Sequence, residues 1–268
     1  MQKLNLHILL ITFLFASACS KFNKLQKSDN IQARYQGGVM YYEKKDYQRA
    51  GILFEELIPL MKGSAEAEKV NLSYSYCQFY MKQYVLAAYY FKRFAETFPR
   101  SAQVEEALYM HVKALYADVP EYSLDQTNTY DALNSIQDFF RKYPRSQYAD
   151  ELNQIVDLLR GKLEKKAYEQ AKLFYKVGDY KAAVVALENF KKEFPGSVHN
   201  EEFTFLKLKA QFQLSEISIE TKRVERYTQA IDFYHVFVDQ YPSSKYLKEA
   251  EELYSESQNY IQKHKSKS

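Results

Sequence analysis

The chain has no tryptophan and only two cysteines, Cys19 and Cys77, in 268 residues. With one of the two close to the amino terminus, a disulfide framework is excluded as the basis of the fold. Seven glycines and six prolines are too few for a protein made of many tight turns, which disfavours an all-β architecture and favours long helices. No charge of one sign prevails: 37 basic against 34 acidic side chains leave +3, so nothing demands a nucleic-acid partner. Catalytic signatures are missing too. There is no P-loop, no Gly-rich phosphate cradle, no G-x-S-x-G and no H-E-x-x-H, and His7, His111, His199, His235 and His264 are scattered without metal-ligand spacing. No catalytic residue, metal site or cofactor is therefore assigned, and the chain reads as a non-enzyme. What it holds in excess is tyrosine. With 25 Tyr and 18 Phe it is rich in large amphipathic rings, which can fill gaps between helices or line a peptide-binding surface.

The amino terminus reads as an address. Lys3 is followed by an apolar run from Leu4 to Phe15 and then by Ala16, Ser17 and Ala18, the architecture of a signal peptide. The run is shorter than the roughly 20 residues that a membrane-spanning helix needs. Ala16-Ser17-Ala18-Cys19 resembles a bacterial lipobox, which implies removal of residues 1–18 and acylation (palmitate or a similar chain) of Cys19, a covalent lipid and not a cofactor. Ser20 after the cysteine, where an inner-membrane retention signal commonly has Asp, implies export to the outer membrane, and the chain is expected to face the periplasm there. Residues 19–30 are polar, carry Lys21, Lys24 and Lys27 and lack apolar periodicity, so they are expected to form a flexible tether of at most roughly 40 Å.

A repeat fills the remainder. Tyr47, Ala50, Phe54 and Leu57 recur as Tyr84, Ala87, Phe91 and Phe94, as Thr129, Ala132, Ile136 and Phe139, as Tyr180, Ala183, Leu187 and Phe190, and as Tyr227, Ala230, Tyr234 and Phe237. The constant steps of three, four and three put each set on one helix face, with a small Ala where another helix must come close. Phe98-Pro99, Tyr143-Pro144, Phe194-Pro195 and Tyr241-Pro242 end four of the blocks, and Ser101, Ser146, Ser197 and Ser244 are placed to cap the next helix. A second helical pattern precedes each block, as in Gly38 and Tyr41 ahead of Asp46-Tyr47. Each unit is thus helix, tight turn, helix, similar to the tetratricopeptide repeat. The expected fold is all-α: a tetratricopeptide-like superhelical array of about five hairpins over 31–264, in units near 31–62, 64–99, 101–144, 147–195 and 198–242. A capping helix at 245–263 and a basic tail at 264–268 complete it, while Ala117 to Thr129 and Glu216 to Val224 read as loops.

A lipobox followed by elongated repeats closed by F/Y-P-x-S resembles the BamD (YfiO) family, the lipoprotein subunit of the outer-membrane β-barrel assembly machinery (the BAM complex). The likeness is carried by Asp46-Tyr47-Gln48-Arg49-Ala50, by Ala88 to Phe94, by Glu106 to Met110, by Tyr143 to Ala149 and by the basic helix from Leu158 to Tyr168 with Lys162, Glu164 and Lys165. The resemblance implies that the amino-terminal repeats receive the extended targeting segment of an unfolded barrel precursor. It further implies that the carboxy-terminal repeats hold the periplasmic domains of a BamA-like barrel-forming subunit, so that the chain promotes membrane insertion of outer-membrane proteins. Counting along the first helices from Gly38, the rings Tyr35, Tyr42, Tyr76, Phe79 and Tyr80 are expected either to line that groove or to fill gaps between repeats. An alternative role is a tetratricopeptide scaffold lipoprotein in cell-envelope or peptidoglycan biogenesis. Cys77 reads as a small buried hydrophobe, and Lys162, Lys165, Lys166 and Lys172 as a solvated face or a contact to an acidic partner or to anionic headgroups.

Overall fold

A computed structural model describes residues 21–265. The signal peptide, Cys19 and all but the start of the basic tail lie outside the described residues. After a short helical segment at 21–26 come α1 (Ile31–Glu43), α2 (Tyr47–Leu60), α3 (Ala67–Tyr80), α4 (Tyr84–Thr97), α5 (Val104–Ala117) and α6 (Thr127–Lys142). Next come α7 (Ala149–Lys176), α8 (Tyr180–Glu193), α9 (Asn200–Glu216), α10 (Glu220–Gln240) and α11 (Leu247–Lys265). No strand occurs among the described residues. The helices fall into two compact units, one ending at Leu159 and the other beginning at Arg160, both within the long α7.

In each unit the core is organised around the second helix of a hairpin. In the first unit, Ala50, Phe54 and Leu57 of α2 meet Tyr35 of α1 and Val70, Tyr74 and Cys77 of α3. Phe91 and Phe94 of α4 meet Leu72 of α3 and Ala107 of α5, and Ala132, Ile136 and Phe139 of α6 meet Val112 and Leu152. The second unit repeats the arrangement. Ala183, Leu187 and Phe190 of α8 pack on Ala171 and Phe203, and Tyr227, Ala230 and Phe237 of α10 pack on Leu208 of α9 and Ala250 of α11. The five alanines of the three-four-three faces have no exposed surface, because a larger side chain there would push the neighbouring helix away. These are the helix hairpins of a tetratricopeptide-like array.

The turn inside a hairpin has its own requirement. Lys45, Lys82 and Gly178 occupy equivalent positions with φ of 59°, 61° and 82°, a left-handed conformation that reverses the chain in a few residues. Asp46 and Asp179 then cap α2 and α8, accepting from the backbone N–H of Arg49 at 3.2 Å and of Ala182 at 3.1 Å. Between hairpins, Ser101, Ser146, Ser197 and Ser244 use Oγ to accept the backbone N–H two residues on, at 3.1–3.2 Å. They therefore shape the turn ahead of the helix and do not bond its first N–H groups.

Two sequence expectations need correction. Residues 21–26 are not a free tether: Phe22 is buried and Leu25 packs on Gly37, an i, i+3 apolar pair too short to register as a period. Glu216 to Val224 is not a long loop either. α9 ends at Glu216 and α10 begins at Glu220 because Arg223 donates to the backbone carbonyls of Ser218 at 3.0 Å and Glu216 at 2.7 Å, satisfying the carbonyls that the end of α9 leaves open.

Candidate functional site

The first helices of successive hairpins are joined by a recurring polar rung. In the first unit, Tyr109 and Lys113 of α5 both donate to Glu151 near the start of α7, and Tyr109 stacks on Tyr148 with centroids 4.0 Å apart. In the second unit, Lys172 of α7 donates to Glu202 of α9 at 3.0 Å and to the Tyr168 hydroxyl at 2.8 Å. Lys209 of α9 donates to Glu249 of α11 at 2.5 Å, while Phe205 stacks on Tyr246 at 4.7 Å. Serines add to it, Ser146 donating to Glu105 at 2.6 Å and Ser244 to Glu201 at 2.7 Å. The rung is thus an aromatic residue, a lysine four positions later on the same face, and a glutamate on the next first helix. Lys113 and Tyr109 hold the Glu151 carboxyl below its ordinary value, and Tyr168 and Glu202 push Lys172 up.

α3 does not follow this rule. In α3 the lysine position itself is taken by Tyr76, whose hydroxyl donates to Glu106, the aromatic position four residues earlier is Leu72, and Tyr80 follows one turn after Tyr76. Tyr80 is 48% exposed and stacks on Tyr47 at 4.5 Å and 24°. Tyr47 in turn meets Tyr42 edge-on at 5.6 Å, and Tyr76 lies 6.0 Å from Tyr80 at 21°. Phe79 abuts Tyr80 at 5.9 Å and Tyr84 at 5.7 Å. The result is a platform of rings across the first two hairpins.

Of the residues expected to line a groove, Tyr42, Tyr76, Phe79 and Tyr80 converge on this platform. Tyr35 does not. It is 6% exposed and packs among the core side chains of α2 and α3, so its ring is a core element. Of the two roles left open it takes the packing one, because Gly38 lies against Phe54 and Tyr35, one turn earlier on the same helical face, points into the same contact. Tyr47, absent from the expected groove, is the ring that joins Tyr42 to Tyr80; its place as the first residue after the hairpin turn was the available signal.

The chemistry of the platform is that of stacked rings with protonated hydroxyls. Burial raises the Tyr42 and Tyr76 hydroxyls well above their ordinary value of 10, helped by like-charge neighbours and, at Tyr76, by its bond to Glu106. Burial and then Tyr47 raise Tyr80 as well, so the hydroxyls stay protonated donors. Cys77 lies beneath, fully buried, with its thiol pushed up to about 12 by burial, which makes it inert and no nucleophile. His111 is half-buried, its Nδ1 bonded to the Ala88 carbonyl at 2.8 Å, and loss of solvation lowers its pKa. Among the described residues no group of three or more His, Cys, Asp or Glu could hold a metal ion. In the second unit, α7 and α8 border an open cavity of about 580 Å³ lined in part by Ala167, Phe174, Ala182, Val185 and Asn189. Lys172, read from sequence as part of a solvated basic face, is instead bound into a rung.

Comparison with known proteins matches two stretches, residues 27–174 and 162–265, to the family model described as YfiO, outer membrane lipoprotein. An outer membrane protein assembly factor BamD of Rickettsia prowazekii (strain Madrid E) is 23% identical over 229 residues, covering 85% of this chain and 87% of the relative. A putative outer membrane protein assembly factor BamD of Aquifex aeolicus (strain VF5) is 25% identical over 195 residues, covering 70% of this chain and 64% of the relative. An outer membrane protein assembly factor BamD of Caulobacter vibrioides (strain ATCC 19089 / CIP 103742 / CB 15) is 21% identical over 193 residues, covering 72% and 63%.

Proposed function

Since the chain belongs to the YfiO family of outer membrane lipoproteins, we propose that it is a non-catalytic assembly factor of the outer membrane that receives unfolded β-barrel precursors on the aromatic platform of its first two hairpins. The observation that carries this reading is Tyr80. Tyr76 takes the place of the lysine that pairs with the next glutamate in the equivalent helices, and one turn further on α3 presents Tyr80, a half-exposed ring stacked on Tyr47. An apolar, aromatic-ended strand gains from such a surface through ring contacts, and its backbone carbonyls can accept from protonated phenols.

The lipid on Cys19, facing the periplasm, holds the platform at the membrane surface. The second unit is where the periplasmic domains of the BamA-like barrel-forming subunit dock, a reading supported by the cavity between α7 and α8, whose mixed apolar and polar lining suits a folded partner. The chain then works by proximity. It keeps the targeting segment and the insertion subunit on one support, which raises the effective concentration of one for the other.

The test is crosslinking of a peptide from the carboxy terminus of an outer-membrane barrel to the purified chain. Tyr80→Ala and Tyr47→Ala should each cut the yield several-fold while the helical circular dichroism is kept. Unchanged yield in both folded variants would remove the platform from the mechanism. Tyr35→Ala is the contrasting variant: it should lower stability, by about 3 kcal/mol for a buried ring, with binding lost only as the fold is lost.

A further inference from the structure

The segment ahead of the first hairpin is a clamp with a charged back. Phe22 is 8% exposed; its ring meets Tyr41 edge-on at 5.6 Å, and the Arg49 guanidinium lies 5.7 Å from the centroid of each ring. Leu25 rests on Gly37, where a Cβ would come within 2.2 Å of Leu25 Cδ2, so a larger residue there would displace the Leu25 side chain from this seat. Gln26 Nε2 donates to Glu56 Oε1 at 2.7 Å, and the same carboxylate pairs with Arg34 of α1. Apolar contacts and hydrogen bonds together fix residues 22–26 onto α1 and α2.

The opposite side of the segment carries Lys21, Lys24 and Lys27, all exposed and none in an ion pair with another described residue. At 1.5 Å per residue they span about 9 Å. Cys19 stands two positions ahead of Lys21, and two residues reach at most about 7 Å. With acyl chains on Cys19, Lys21 lies within about one Debye length of the bilayer and Lys27 within about two.

We infer that the face made by Lys21, Lys24 and Lys27 is a second membrane contact, seated on anionic phospholipid headgroups, and that the Phe22 and Leu25 clamp behind it holds the first hairpin at a fixed distance from the surface. This rests on the lipid-anchor reading above. The commitment to anionic lipid follows from three like charges with no protein partner, aligned beside the anchoring position. Alone they are weak, worth roughly fivefold in binding per lysine, but the anchor presents them to headgroups at high effective concentration.

The test uses the full mature lipoprotein with Asn23→Cys, an exposed position on the segment, labelled with a fluorophore; buried Cys77 does not compete for the label. The protein is reconstituted into vesicles of phosphatidylcholine alone or mixed with phosphatidylglycerol, each carrying a lipid-borne quencher. Quenching should be roughly twofold or more stronger with phosphatidylglycerol, and the excess should vanish at high salt and in the Lys21→Gln, Lys24→Gln, Lys27→Gln chain. Phe22→Ala should keep the excess quenching but lower the anisotropy of the probe, since the clamp is released. Equal quenching in both vesicles from an acylated protein would overturn this inference and leave the anchor standing. An intact mass showing no acyl group on Cys19 would remove both, and unchanged anisotropy in Phe22→Ala would overturn the clamp.

Discussion

At the scale of single residues, the substitution that separates binding from stability is Tyr80→Lys. It removes the exposed ring and leaves the bond from Tyr76 to Glu106, at the position of Lys113, Lys172 and Lys209, in place. Tyr80 is half exposed, so chemical denaturation should show a change of about 1 kcal/mol or less. Crosslinking to the barrel-derived peptide should nevertheless fall as far as it does in Tyr80→Ala, because the ring is gone. If Tyr80→Lys kept full crosslinking, the exposed ring of α3 would have no bearing on recognition.

His111 makes a prediction about pH. Its folded pKa is lowered by burial, so the unfolded chain binds the proton more tightly, near the ordinary value of 6.5. The stability that depends on neutral His111 is therefore complete above about pH 6.5 and is lost as pH falls below it toward the folded value. Urea midpoints measured at pH 7.5 and pH 5 should fall further for the native chain than for His111→Gln, which keeps a donor for the Ala88 carbonyl but has no proton to gain. Equal drops in the two would show that His111 does not titrate with folding.

At the scale of elements, the hairpin turns give opposite effects at equivalent sites. Lys82 holds a left-handed φ that costs an L residue about 1–2 kcal/mol, so Lys82→Gly should raise stability by about 0.5 kcal/mol once the extra backbone entropy of glycine is set against it. Gly178→Ala should lower it by about 1 kcal/mol, through conformation alone, since nothing lies within 4 Å of the added Cβ. Denaturant unfolding of the two variants checks both signs. The same comparison shows what the sequence made legible. The second helices were readable because their steps of three, four and three project one face onto a core, and the alanine of each set marks a close approach that the packing bears out. The rungs were not readable, because Tyr109 and Glu151, or Lys209 and Glu249, are about forty residues apart and surface charges have many apparent partners. Phe22 and Leu25 escaped notice for a different reason: a single helical turn offers no period to detect.

At the scale of the whole molecule, each unit repeats one construction, a second helix enclosed by first helices that are tied by rungs, and only the first unit replaces a rung with a platform of rings. The candidate site was partly legible for that reason: Tyr42, Tyr76, Phe79 and Tyr80 follow helical spacing, whereas Tyr35 could be separated from them only by its packing depth against Phe54 and its neighbours in α2 and α3. No described helix is long and apolar enough to cross a membrane, and attachment through Cys19 and the lysine face beside it is what we propose. The measurement that tests the central claim most directly is photo-crosslinking in growing cells, with the photoreactive side chain placed at Tyr80 and, as the control, at Val198, which is fully open to solvent in the second unit. The account predicts adducts with newly made outer-membrane barrel proteins from position 80 that are absent from position 198. Barrel adducts of equal yield from both positions, or none from position 80, would contradict it.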